Sequence, residues 1–361
     1  MNEEYLLQLA ELLRQTFTVA ATPERAQAET QLGLLATRPE EYYRGLLLII
    51  ATHSQFDSQV QHAAAISLRK LLKEKTEEIN VLARCQMAVD MLEVLTQPPV
   101  PLSVKAAVGF ALLAVIDFEQ EPSQVVQALV PPVLKAFQQG SNGVVGACKA
   151  VRAVCGGSAF NSSVQAFWQQ VSGPLFSLVR ETLQAVSGAA DDENVEVLYE
   201  ECATLCAFTE YYQAHEADNL LALVQAHGFE EVCGLLLTAA IADPSLTERS
   251  LICVGIDQVY SRFNQAKKEV FKVINTLLMQ YYAETEAVTD PPFHSWLFSS
   301  AEQLLASLGL IVGLPDFEEI MQTEYVFELV IEVFNLLEVL VKDSRYAIFF
   351  NRSFKENELI P

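Results

Sequence analysis

The sequence predicts an all-α fold, an α-solenoid of about seven to eight stacked antiparallel helix pairs. Three observations carry the prediction. The chain is 51% hydrophobic, with Leu, Ala, Val, Glu and Gln prominent and few runs of strand type. Apolar residues recur at helical spacing along its length, separated by short breaks rich in Pro, Gly, Asp and Ser. Paired helices would start near residues 4, 40, 80, 122, 162, 216, 266 and 317, spacings of about 36 to 54 that bracket the ~40–47 residues of two-helix repeats.

Taken in order, the periodicity predicts helices over 4–18, 23–36, 40–53, 57–76, 80–96, 103–116, 122–139, 142–156, 162–187, 193–213, 216–241, 245–263, 266–285 and 293–312, with a helix or helix pair over 317–342. Thr22 before Pro23, Ser103 after a proline-rich break, Asp243 before Pro244 and Asp290 before Pro291 are candidate caps. In the second helix Ala26, Gln31, Leu32 and Leu35 fall near one face. The third, around YRGLLLIIATH, is apolar almost all round, as in a helix covered on both sides. In the fourth, Ala64, Ile66, Leu68, Leu71 and Leu72 form an apolar face running into a basic end. In the sixth, Val104, Ala107, Val108, Ala111, Leu112 and Val115 share a face. Such a pair cannot bury its apolar surface alone, so the units stack as one continuous HEAT-like array over 1–361. A solenoid halted at 361 would expose apolar surface, which suggests a longer protein.

Charge divides that array. The net charge is −23, but residues 1–180 carry 14 Lys and Arg against 16 Asp and Glu, whereas 181–341 carry 5 against 27. Charge therefore separates the near-neutral 81–180 from the acidic 181–341 and a short end, 342–361. So anionic a surface disfavours nonspecific nucleic-acid binding. It attracts basic partners, or it serves as a solubilising surface. The polar, acidic stretch Ser187 to Glu196 is expected to be a loop holding Asp191, Asp192, Glu193 and Glu196.

Chemistry is not expected. No phosphate-binding, dinucleotide-binding, zinc-protease or nucleophile-elbow motif occurs, and no carboxylate pair is spaced as an acid–base couple. No catalytic residue, cofactor or metal site is assigned. Cys202 and Cys206 lie four apart on a helix face, yet no histidine pair completes a site, so the cysteines read as buried thiols in a reducing compartment. No window reaches the ~18 apolar residues of a membrane span. The acidic N-terminus MNEEYLLQLAELL lacks the basic start and cleavage site of a signal peptide. A soluble, intracellular protein without membrane insertion is expected.

Three elements in fixed order carry a resemblance: Ala28-Glu29 with Leu32, the leucine-rich Tyr43 to Ala51, and Ala64-Ala65 followed by Leu68, Arg69, Lys70 and Leu71. They resemble the N-terminal domain of the importin-β (karyopherin-β) family of nuclear transport receptors, whose patterns run A-E-x-x-L, a leucine-rich helix and R-x-x-A-A-x-x-L-K-N-x-I. The likeness covers roughly the first 80 residues and sets 1–80 apart as a segment. The family's Lys-Asn pair reads Arg69-Lys70 here, its upstream Arg reads Gln59 or Gln61, and its later D-x-P-x-x-W-P pattern keeps Asp117 and Pro122 at altered spacing without a Trp.

The resemblance implies a receptor shuttling between cytoplasm and nucleus, binding the GTP form of the small GTPase Ran, protein cargo and phenylalanine-glycine nucleoporins. It carries the Ran-binding role to Arg69 and Lys70, with Lys73 beside them. Cations there also suit the end of a helix, where the dipole favours them. An acidic loop touching basic cargo would correspond to Asp191, Asp192, Glu193 and Glu196. An importer of basic cargo is expected. An exportin of the same family, or a HEAT scaffold outside transport, remains open.

Overall fold

The computed structural model describes residues 3–16, 22–52, 55–98, 100–117, 123–156, 162–188, 192–215, 258–284, 317–322 and 326–342, and every regular element among them is helical. The fold is an all-α helical-repeat solenoid. Two compact units divide it, residues 1–174 and 175–361.

The first unit contains α1 (Glu3–Thr16), α2 (Pro23–Leu35), α3 (Pro39–Ala51), α4 (Ser58–Lys75), a 3-10 turn at Thr76–Glu78, α5 (Val81–Thr96), α6 (Leu102–Asp117), α7 (Ser123–Ala136), α8 (Ser141–Cys155) and the first half of α9 (Ser162–Gly188). Consecutive helices pair, α1 with α2, α3 with α4, α5 with α6 and α7 with α8. Neighbouring pairs then stack in two layers: α1, α3, α5 and α7 in an odd layer, α4, α6 and α8 in an even one. That layering follows from helices with one broad apolar face meeting partners on either side.

Local signals place the helix starts. Thr22 Oγ1 accepts from the Arg25 N–H at 3.2 Å, Asp57 Oδ1 from the Val60 N–H at 2.9 Å, and Asn80 Oδ1 from the Ala83 N–H at 2.9 Å. Asp57 also accepts from Arg14 Nη2 at 3.2 Å, tying α1 to the start of α4. Gln61 is buried and its amide donates to the Ile50 carbonyl at 3.1 Å, closing the end of α3. Ser103 lies within the first turn of α6, which begins at Leu102, and Asp243 and Asp290 fall outside the described residues.

Burial corrects three helix faces. In α2 the buried residues are Ala28 and Leu32, four apart, while Ala26 and Gln31 are exposed. In α3 Tyr42, Tyr43, Leu46, Ile49 and Ile50 are buried, but Leu48 is 41% exposed, so one side of the helix is open. In α4 Ile66 leaves the apolar face altogether and is 49% exposed. In α6 five of the six residues of the expected face, Val104, Val108, Ala111, Leu112 and Val115, are fully buried, and Ala107 is half-buried.

The second unit contains the rest of α9, then α10 (Asp192–His215), α11 (Gln258–Glu284), the short α12 (Phe317–Met321) and α13 (Val326–Lys342). The helix break expected between 263 and 266 does not exist, since α11 runs through it without interruption. The stretch 317–342 forms two helices. The helices expected over 216–241 and 293–312, and residues 245–257 of the one expected over 245–263, lie outside the described residues. α11 packs on α10 and on α13.

Four of the five Lys and Arg in 181–341 sit on this one helix: Arg262, Lys267, Lys268 and Lys272. Arg262 grips Glu196 of α10 through two bonds, Nε to Oε2 at 2.5 Å and Nη2 to Oε1 at 2.9 Å, and stacks 4.0 Å from the Tyr199 ring. Lys268 Nζ donates to Glu328 of α13 at 2.8 Å, and Asn275 donates to the Glu332 carbonyl at 3.0 Å. α11 thus holds an acidic helix on each of two sides. Half-buried, bidentate guanidinium–carboxylate pairs are the stronger class of ion pair. Arg262→Gln is expected to cost about 1–3 kcal/mol. Denaturant unfolding checks this, with exposed Arg38→Gln as a control expected to change stability by less than about 0.5 kcal/mol.

Candidate functional site

The two layers of the first unit differ in charge. Helices α4, α6 and α8 carry seven Lys and Arg (residues 69, 70, 73, 75, 105, 149 and 152) against two acids, Glu74 and Asp117. The near-neutral count for 1–180 therefore averages over a basic even layer.

Its most open part is the end of α4. Arg69, Lys70 and Lys73 are all exposed, on the face opposite Ala64, Leu68, Leu71 and Leu72. The Arg69 guanidinium lies 4.9 Å from the centroid of the Phe110 ring on α6. Such stacking holds the charge in place without consuming its hydrogen-bond donors. Phe110 is itself 52% exposed, and Ile66 lies one turn before Arg69 and Lys70. Neither Lys70 nor Lys73 has an acidic partner among the described residues, whereas Lys75 is paired with Glu78 at 2.5 Å. The structure brings together the three cations expected from sequence and adds Ile66 and Phe110, which sequence reasoning missed. Ile66 carried a signal, since it sits three and four residues before Arg69 and Lys70.

The odd layer carries a different feature. A groove of about 780 Å³ lies between α1, α3 and α5, lined by Tyr5, Tyr43, Leu47, Leu48, Ala51 and Val94, with Glu40, Glu41, Arg44, Asp90, Glu93 and Gln97 around it. Tyr43 is buried and its hydroxyl donates to Asp90 Oδ2 at 3.0 Å. Burial, with the Asp90 carboxylate adding to it, pushes the Tyr43 hydroxyl far up, so it stays a neutral donor. Gln86 also donates to Asp90, at 2.6 Å.

The acidic residues expected in a loop are placed differently. Asp191 lies outside the described residues, and Asp192 opens α10. Glu193 is exposed in the first turn of that helix. Glu196 is one turn further in, with both carboxylate oxygens engaged by Arg262. Helix α9 thus runs to Gly188 and α10 begins at Asp192, inside the stretch expected to be a loop, and Glu196 is bound by a cation 66 residues away.

Cys202 and Cys206 are buried in α10, and the Cys206 thiol donates to Glu210 Oε1 at 3.6 Å. Burial, followed by the carboxylates of Glu269 and Glu210, pushes that thiol well above its ordinary range. Among the described residues no group of three or more His, Cys, Asp or Glu side chains is placed to hold a metal ion. No described helix is long and apolar enough to cross a membrane.

No family model and no curated protein matches the sequence. Among solved structures, the crystal structure of an engineered protein is similar at 15% identity and a TM-score of 0.41, covering 83% of this chain and 96% of that one. A likeness at that level carries no argument about fold or function.

Proposed function

We propose that this chain is a nuclear transport receptor of the importin-β type, binding Ran in its GTP form through the exposed end of α4 and carrying basic protein cargo through the nuclear pore. One observation supports the reading best. The motif positions that suggested the family, Arg69 and Lys70, lie on an exposed face with Lys73 and beside an exposed aromatic ring, and neither Lys70 nor Lys73 forms an ion pair among the described residues, although Glu74 lies one turn from Lys70. A cationic face with an apolar centre suits a protein partner with acidic and apolar contact residues.

The mechanism is linkage. Ran and cargo would act on one repeat array, and each would change the other's affinity by the same factor. The excess of acids in 181–341 favours basic cargo. Phenylalanine-glycine nucleoporins are the expected partners at the pore, and shuttling between cytoplasm and nucleus follows from the same reading.

Retention on immobilised Ran tests it. The chain is expected to bind the GTP form and not the GDP form, and Lys70→Glu/Lys73→Glu is expected to weaken binding by about tenfold or more. Equal retention in both states, or in neither, would leave a scaffold outside transport as the better reading. Basic cargo released by Ran-GTP marks an importer; cargo held more tightly marks an exportin.

A further inference from the structure

The groove on the odd layer faces a different class of partner from the one assigned to α4. Its apolar floor runs along α3 through Leu47, Leu48 and Ala51 and is completed by Val94 of α5. Leu48 is 41% exposed, so this strip of α3 faces water where the sequence pattern leads one to expect a covering helix. Carboxylates stand on both walls, Glu40 and Glu41 on α3, Asp90 and Glu93 on α5, against the cation Arg44 in the lining and Arg38, which pairs with Glu41 at 3.6 Å.

Glu40 and Glu41 have an ordinary structural reason, since acids in a first helical turn suit the helix dipole. Asp90 has one as well, as the acceptor for the buried Tyr43 hydroxyl, whereas Glu93 has none. Both lie in the second half of α5, toward the helix end that disfavours acids. Asp90 is held in place by Tyr43 and Gln86, and Glu93 is exposed with no partner among the described residues. The volume of about 780 Å³ lies inside the ~300–1,000 Å³ span of ligand sites.

We propose that the groove between α1, α3 and α5 docks a segment of a partner protein in which aliphatic side chains are flanked by lysine or arginine. The aliphatic groups cover Leu47, Leu48, Ala51 and Val94, while the flanking cations meet carboxylates on the two walls. Anionic segments are repelled by the same walls, so charge complementarity selects the occupant. This surface is separate from the α4 face, and the proposal stands or falls independently of Ran binding.

The experiment uses a fluorescein-labelled peptide, Gly-Lys-Arg-Leu-Leu-Lys-Arg-Gly, a counterpart with Glu at each cationic position, and a phenylalanine-glycine peptide, read by fluorescence polarisation on the full chain. The basic peptide is expected to bind and the other two not. Glu40→Lys/Glu93→Lys, both at exposed positions, is expected to weaken binding by about tenfold or more. Leu48→Ser is expected to weaken it by about threefold or more. Lys70→Glu/Lys73→Glu is expected to leave it unchanged, with circular dichroism confirming that all variants fold. The proposal is overturned if the basic peptide does not bind, if the acidic or phenylalanine-glycine peptide binds as well, or if charge reversal has no effect. It is overturned equally if sedimentation shows a self-associated chain that the reversal disperses, because the occupant is then a second copy offering its α4 face.

Discussion

Gly146→Leu is expected to disrupt packing of the first unit, and even Gly146→Ala is expected to destabilise it. Gly146 lies in α8 where that helix crosses the last turn of α5. A Cβ there would sit 2.7 Å from the Leu95 carbonyl carbon and the Thr96 nitrogen, and 2.8 Å from the Leu95 oxygen. These are backbone atoms of a hydrogen-bonded helix, so they cannot swing aside as a side-chain tip would. The neighbours of Gly146 on α8, among them Val145, Ala147 and Cys148, are buried, so a shift of α8 disturbs packing on several sides. Replacing a helical glycine by alanine alone would stabilise by ~1 kcal/mol. Overpacking against an immobile wall costs about 1–3 kcal/mol for small additions, and more for a leucine. Gly33 in α2 supplies the control, because a Cβ there meets nothing within 4 Å. Thermal unfolding should therefore show Gly33→Ala at or above the parent midpoint and Gly146→Ala below it by several degrees. Equal behaviour of the two would refute the close crossing of α5 and α8.

The second large effect concerns pH. Glu201 on α10 is fully buried; its Oε1 accepts from the Thr182 hydroxyl of α9 at 3.0 Å, and its Oε2 has no hydrogen-bond partner. Burial pushes this carboxyl up to about 8 from 4.5, and nearby Glu181 adds to the rise, while the Thr182 bond opposes it. The folded chain therefore keeps a proton that the unfolded chain releases. Below pH 4.5 the group contributes its full stabilisation, and that contribution is lost as pH climbs toward about 8. Glu201→Gln keeps an acceptor for Thr182 and cannot ionise. It should flatten the pH dependence and stabilise the second unit at pH 8 by on the order of 2 kcal/mol or more. Denaturant unfolding across that range, beside exposed Glu193→Gln, checks the sign. A wild-type stability that rises with pH through this window, with no flattening in Glu201→Gln, would refute the assignment.

Much of the architecture is legible in the sequence. Helix positions from Glu3 to Asp117 agree with the apolar spacing to within a few residues, because that spacing and the caps at Thr22, Asp57 and Asn80 act over a turn or two of chain. The break expected near 263–266 failed for the complementary reason. Ser261, Asn264 and Gln265 interrupt the apolar pattern locally, yet α11 is held through that point by contacts on α10 and α13.

The candidate sites were legible only in part. Arg69, Lys70 and Lys73 could be named from a motif and from helical spacing, whereas Glu196 and Lys70 look alike as isolated charges in a sequence. Glu196 is claimed by Arg262, 66 residues away, while Lys70 is claimed by nothing described. The groove was not legible at all, since Tyr5, Leu48 and Glu93 meet only when three helices stack.

By itself, then, the sequence determined the helical class, the paired rhythm and the concentration of acidic charge after residue 180. Each is a property of neighbouring residues or of simple composition. Tertiary structure alone decided that Ile66, Phe110 and Leu48 stay open although they resemble core residues, that α4, α6 and α8 form a basic layer, and that α11 spends its cations inside the fold. Exposure and pairing depend on which helix arrives as a neighbour, and that is settled by packing between segments far apart in the chain.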